Sequence, residues 1–148
     1  MVIKLFSIAL AILASGTAAA EIQAVTSCYA GDSRSNSKAT LRLAVRTYTD
    51  IETQKEIGAF AQYDGAKSSI PLVFVKLVAT DTDSPGLGNY ELTRVEVVGK
   101  KLTGEYVFTQ TGAGNRQGRF VKYKSARFPK PIVLQHTGED DRDCKFNW

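Results

Sequence analysis

Several segments of this chain alternate apolar and polar residues with a period of two, the spacing of a strand with one face in a core and one in water. Leu41, Leu43 and Val45 fall on one face, with Thr40, Arg42 and Arg46 on the other. Leu102, Tyr106 and Phe108 share a face with Gly104, opposite Thr103, Glu105 and Thr109. Val121 and Tyr123 alternate with Lys122 and Lys124. Beyond residue 20 no segment keeps a helical apolar period for three turns. The run from Ile70 to Val78 is apolar on both faces, which predicts the most enclosed strand, with Pro71 at its start where a missing amide donor is tolerated.

Turn residues punctuate these segments at Asp64-Gly65, Ser84-Pro85-Gly86, Gly99-Lys100, Gly112-Ala113-Gly114 and Thr137-Gly138. The pattern predicts about eight strands, near 22–29, 38–48, 56–63, 70–79, 89–98, 102–109, 118–126 and 131–136, with a tight hairpin between Val98 and Leu102. Strands joined in sequence by short turns favour an antiparallel meander. The expected fold is all-β, a single antiparallel β-barrel over residues 21–148, with a β-sandwich as the alternative.

Residues 1–20 have the form of a secretory signal peptide: Lys4, an apolar run from Leu5 to Leu13, then Ala18-Ala19-Ala20 before Glu21. The apolar run is too short to span a bilayer, and Thr17 stands where a lipoprotein would need cysteine, so no membrane anchor is expected. Export places the chain in a periplasmic or secreted setting. There the two cysteines, Cys28 and Cys144, are expected to form a disulfide that brings the first and last segments together. A barrel closed on itself would satisfy that constraint and remove exposed strand edges. The formal net charge of +4, part of it on Lys4, is too small to argue for nucleic acid or membrane by itself.

Candidate chemistry is sparse. One histidine, His136, follows Ile132 and Leu134 at strand spacing and reads as the end of the last strand rather than a base. Asp81-Thr82-Asp83-Ser84-Pro85-Gly86 begins like a calcium loop, but Pro85 offers no side-chain oxygen and Leu92 stands where a bidentate glutamate is needed. The acidic cluster at 139–143 reads as a solvated tail. These features predict no catalytic residue, no metal and no cofactor, hence a protein that is not an enzyme.

The most distinctive local feature is the glycine-rich loop from Thr111 through Gly112, Gly114, Asn115 and Arg116 to Gly118, flanked by strands rather than opening a helix. Glycines there suit a hairpin end, and an exposed loop on a rigid scaffold also suits recognition. Residues 116–130 then carry Arg116, Arg119, Lys122, Lys124, Arg127 and Lys130 with no acid, interleaved with Phe120, Tyr123 and Phe128. Tyr123 alternates away from Lys122 and Lys124. The expected partner is therefore a protein or an anionic envelope component, and not nucleic acid, which would need both residue types on one face.

The loop at 111–116, with an early and a late cysteine, resembles the periplasmic and membrane-bound inhibitors of C-type lysozyme, which are small exported antiparallel barrels. The resemblance implies a loop that inserts into a lysozyme cleft, involving Thr111, Gly112, Gly114 and Arg116. Gln117 stands where that family carries an aromatic, and Lys124-Ser125-Ala126 where it carries Thr-Lys-Gly. The leading expectation is an exported non-catalytic binding protein, such as an inhibitor of an exported enzyme, using Thr111, Gly112, Gly114, Asn115, Arg116, Lys122 and Lys124. Alternatives are a barrel enclosing a small apolar ligand, with Tyr106, Phe108 and Val121 facing inward, and an envelope structural protein.

Overall fold

The structure is a computed structural model and describes residues 21–32, 40–79, 88–112, 118–139 and 144. The segment 1–20, the turn 81–86, the loop 113–117 and the acidic residues 140–143 lie outside the described residues. Eight strands form: β1 (Ile22–Asp32), β2 (Thr40–Asp50), β3 (Glu56–Tyr63), β4 (Ile70–Ala79), β5 (Tyr90–Val98), β6 (Lys101–Thr111), β7 (Gly118–Lys124) and β8 (Ile132–Glu139). Each pairs antiparallel with its neighbours in sequence, and β8 returns to β1, so the meander closes as a barrel. Gly99 and Lys100 both take positive φ between the paired residues Val98 and Lys101, the twist that suits a two-residue hairpin turn.

Alternation places the core. Leu43, Val45, Tyr106, Phe108, Val121, Tyr123 and Leu134 point inward and pack as one cluster. Tyr106, Leu43, Leu134 and Val121 are its largest fully buried side chains. The rings of Tyr106 and Tyr123 lie 4.6 Å apart, and Tyr106 stacks on Phe108 at 6.2 Å. Gly104 is required by this packing: a Cβ there would sit 2.7 Å from the Tyr123 hydroxyl oxygen. The opposite face carries Arg42 and Arg46 on β2, Glu91 on β5, Glu105 on β6 and the two lysines of β7.

Cys28 and Cys144 form a disulfide with Cα atoms 5.5 Å apart, closing a sequence separation of 116 residues. It lies against Ala44 on the outer wall rather than in the core, and all three residues are buried there. The expected eight-stranded barrel and its terminal clasp are both present.

Four register shifts reshape the sheet. Between β2 and β3, Thr47 opposes Ala59 and Tyr48 opposes Gly58, but Thr49 opposes Glu56, leaving Ile57 as an extra residue. Such a bulge changes which face the next side chain takes. Without it Glu56 would share the outer face with Gly58 and Phe60; with it Glu56 joins the interior. Val75 in β4, Thr103 in β6 and Thr137 in β8 are the extra residues of the other three.

Three expectations are corrected. β4 is the most exposed strand, not the most enclosed: after Leu72 every residue to Ala79 is exposed. The reason is topological. β3 pairs with β4 at only three positions, Ala59–Leu72, Phe60–Pro71 and Ala61–Ile70, so the later half of β4 rests on β5 alone. Leu102 does not join Tyr106 and Phe108, because the extra residue Thr103 turns it outward, 72% exposed. His136 does not end β8, which continues to Glu139; its ring meets Tyr29 edge-on at 5.6 Å.

Candidate binding rim

One end of the barrel gathers the residues from which a site can be built. The ladder across it runs from Ala79 to Tyr90, Tyr90 to Gln110 and Gln110 to Arg119. The tip of β4 and the start of the glycine loop therefore stand on the same rim, two strand spacings or about 10 Å apart. Thr111 and Gly112 close β6 there. Gly112 has a φ of 119°, open only to glycine, and its amide donates to Asn89 Oδ1 at 2.7 Å. That bond ties the β6–β7 connection to the start of β5. The Thr111 hydroxyl donates to the Gly118 carbonyl at 3.4 Å, so the base of the loop is held shut. Gly114, Asn115 and Arg116 lie outside the described residues.

The basic stretch is partly neutralised. Lys124 Nζ stands 3.0 Å from Glu105 Oε1 on the neighbouring strand. Arg119 pairs with Glu139. Lys122 points outward as expected and lies over the Phe120 ring at 5.6 Å. Lys122 and Lys124 thus share the outer wall of β7 with Tyr123 on the opposite face, while Thr111 and Gly112 sit at the strand ends above them. Below, near the far end of the barrel, a shallow open groove of about 380 Å³ runs between Leu102 and Val95 on one side and Lys124 and Ser125 on the other.

The polar residues buried inside the barrel carry no signal in a simple alternation. Arg94 faces inward from β5, where Nε donates to Glu56 Oε1 at 3.1 Å and Nη2 to Glu56 Oε2 at 2.5 Å and Thr47 Oγ1 at 3.2 Å. Its guanidinium also lies over Phe108 at 5.1 Å. The second interior acid, Glu96, accepts from Thr103 at 2.6 Å and from the Tyr106 hydroxyl at 3.0 Å. Tyr63 completes the chain, 2.9 Å from the Tyr106 oxygen. Each charge buried here has partners, as a charge inside a protein requires.

Titration reflects the enclosure. Burial pushes the Tyr29 hydroxyl up to about 12, with Tyr90 adding to the rise. Burial also raises Tyr106, Tyr63 and Tyr123 above the ordinary phenol range. His136 is lowered by burial and then by the Arg119 charge, against an opposing pull from Glu139. Its Nε2 is buried without a hydrogen bond, 3.9 Å from Glu139 Oε1. A neutral imidazole against Tyr29 is the form this site favours. Among the described residues no group of three or more His, Cys, Asp and Glu side chains could hold a metal ion.

What the sequence reading overlooked is the apolar half-strand. At this rim Val73, Phe74, Val75, Leu77 and Val78 are all exposed, with Leu77 at 60%. Phe74 opposes Arg94 and Leu77 opposes Leu92, so both face the interior side, while Val73 and Val78 oppose the outward Val95 and Glu91. Ile57, on the β3 side of the opening, is exposed as well. Exposed apolar side chains grouped in this way are what interaction surfaces commonly present. Comparison with known families, curated proteins and solved structures gave no match.

Proposed function

We propose that this chain is an exported, non-catalytic binding protein that grips a protein partner at the rim shared by the outer half of β4 and the β6–β7 connection. One observation carries the reading: β4 exposes apolar side chains on both of its faces where β3 has left it. Export is supported by the leader-like pattern of residues 1–20 and by a disulfide, which persists in oxidising compartments. Tyr106, Phe108 and Val121, the inward residues an apolar-ligand barrel would use, belong to the packed core cluster, which favours the binding reading. The pairing of Lys124 with Glu105 and of Arg119 with Glu139 favours contact by shape over attraction by charge.

The test is affinity capture from envelope extracts with the wild-type chain and with a Val73→Ser, Leu77→Ser double variant, at low and high salt. Both sites are exposed, so the double variant should unfold within a few degrees of wild type. Wild type should retain a partner at high salt and the variant should lose it. Equal capture by both, or capture that vanishes with salt alone, rejects the apolar rim as the binding surface. An inhibitor of lysozyme remains within this reading, since the glycine loop stands on the same rim. That arm is decided by turnover: lysozyme slowed at micromolar protein supports it, and unchanged turnover assigns the rim to a different partner.

A further inference from the structure

We infer that the open edge of β4 is a docking strand: an extended segment of the partner adds to residues 73–79 and places an acidic side chain against Lys76. The inference rests on the binding reading above and names the kind of partner that surface takes.

The backbone supplies the first reason. From Val73 to Ala79 the edge of β4 that faces β3 has no strand partner among the described residues, while the other edge is paired with β5 along its length. A row of unpaired amides and carbonyls on a strand is a template for another extended chain, and strand addition is a recurrent mode of peptide recognition. The side chains supply the second. Val73 and Val78 are exposed on the outer side and Phe74 and Leu77 on the inner side, so an added strand would cover apolar surface on both of its own faces. A ligand lying on the outer wall would cover one.

The third reason selects the occupant. Lys76 is the one charged residue of the run 70–79 and stands at the middle of the open edge, three residues from either end. It makes no ion pair or hydrogen bond among the described residues. If two copies of the chain paired antiparallel over the whole edge 73–79, the twofold axis would pass at its middle residue and Lys76 would meet Lys76. Like charges directly opposite destabilise a strand pair, and an edge lysine is a common device against self-association. The same charge favours a different strand, one that is apolar at its neighbouring positions and carries aspartate or glutamate opposite Lys76.

The experiment uses the full chain purified with its disulfide formed and a fluorescein-labelled nonapeptide of alternating valine and threonine with one central glutamate. Fluorescence anisotropy should show saturable binding, about fivefold weaker when the central residue is lysine. Lys76→Glu should reverse that order. N-methylation of the peptide amides on both sides of the glutamate should abolish binding, because it removes donors from either edge. The inference is overturned if no peptide binds, if the methylated peptide binds equally, or if Lys76→Glu leaves the order unchanged. It is also overturned if sedimentation shows a dimer that Lys76→Ala strengthens, since the occupant is then a second copy. Sensitivity of extract capture to Val73→Ser and Leu77→Ser, together with equal binding of the methylated peptide, would retain the binding rim and remove strand addition.

Discussion

The two sides of this barrel end in opposite conditions, and the more apolar side is the one left exposed. On the β6–β7 side seven residue pairs join the strands, from Glu105–Lys124 to Thr111–Gly118. The inward rings of Tyr106, Phe108 and Tyr123 are buried there, and an ion pair bridges the outer wall. On the β3–β4 side three pairs join the strands, and Val73 to Val78 stand in water. Composition predicts the reverse of this outcome, since β4 is the more apolar strand. Burial is decided by how far a strand's neighbours extend beside it, and apolar side chains are hidden only where both flanks are occupied.

The largest test of this contrast is removal of the covalent clasp. Cys28→Ser with Cys144→Ser should cost about 5 kcal/mol in the chain-entropy account of a loop this long, a large share of a typical domain's stability. Calorimetry with and without reductant should show the loss; an unchanged transition would mean the packed side holds the barrel shut unaided. Next comes a direct pairing of the two sides. Tyr106→Ala should cost about 4 kcal/mol, since it opens the core and strips Glu96 of a donor, whereas Leu77→Ser should change stability by less than about 0.5 kcal/mol. Urea unfolding of both variants checks this, and similar values would erase the distinction.

Glu56→Gln should cost about 3 kcal/mol by leaving the buried Arg94 charge short of its partner, although Glu56 sits at the open side. A loss near zero would show that water reaches Arg94 through the opening. Gly104→Ala should cost about 2 kcal/mol by pushing on the Tyr123 ring, with the damage confined to the closed side in amide exchange.

The smallest effects are in pH. Tyr29, Tyr63 and Tyr106 have folded-state values raised above 10, so the folded chain holds their protons more tightly than the unfolded one. Their contribution is complete below pH 10 and is lost as pH rises above it. Tyr63→Phe should flatten that alkaline slope. His136 has the opposite sense: its folded value is depressed, so stability is complete above about pH 6.5 and falls as acid drives the ring toward its charged form. His136→Gln should remove the acid slope in a series of thermal melts.

Much of the closed side could be read directly from residues. Leu43 and Val45 are bracketed by Arg42 and Arg46, Tyr106 and Phe108 by Glu105 and Thr109, and Val121 and Tyr123 alternate with Lys122 and Lys124; all six apolar residues face the core. β5 resisted this reading because its polarity is reversed: Arg94 and Glu96 point inward and find partners there, while Val95 and Val97 point outward. Glu56 is inside only because Ile57 is an extra residue, and a single-residue shift is set by the partner strand, not by local sequence. The run at 70–79 misled for a more general reason. Apolarity on both faces is the pattern of a strand enclosed on both sides, and it does not register how far the neighbouring strand runs beside it. Of the candidate site, Thr111, Gly112, Lys122 and Lys124 fall on the rim and wall where their pattern put them, but the pairing of Lys124 with Glu105 depends on a cross-strand neighbour nineteen residues away.

The disulfide has a consequence for what counts as the middle of this molecule. Peptide continuity runs unbroken through the turn between β3 and β4, yet that is where hydrogen bonding is thinnest; the two chain ends are joined by sulfur at the seam where β8 meets β1. Followed by its ladders, the sheet begins at β4, passes through the welded ends, and finishes at β3. A chain that joined the end of β8 to the start of β1 through a linker and opened between 64 and 69 would turn that hidden order into its covalent order, leaving the three pairs from Ala59–Leu72 to Ala61–Ile70 as the closing seam.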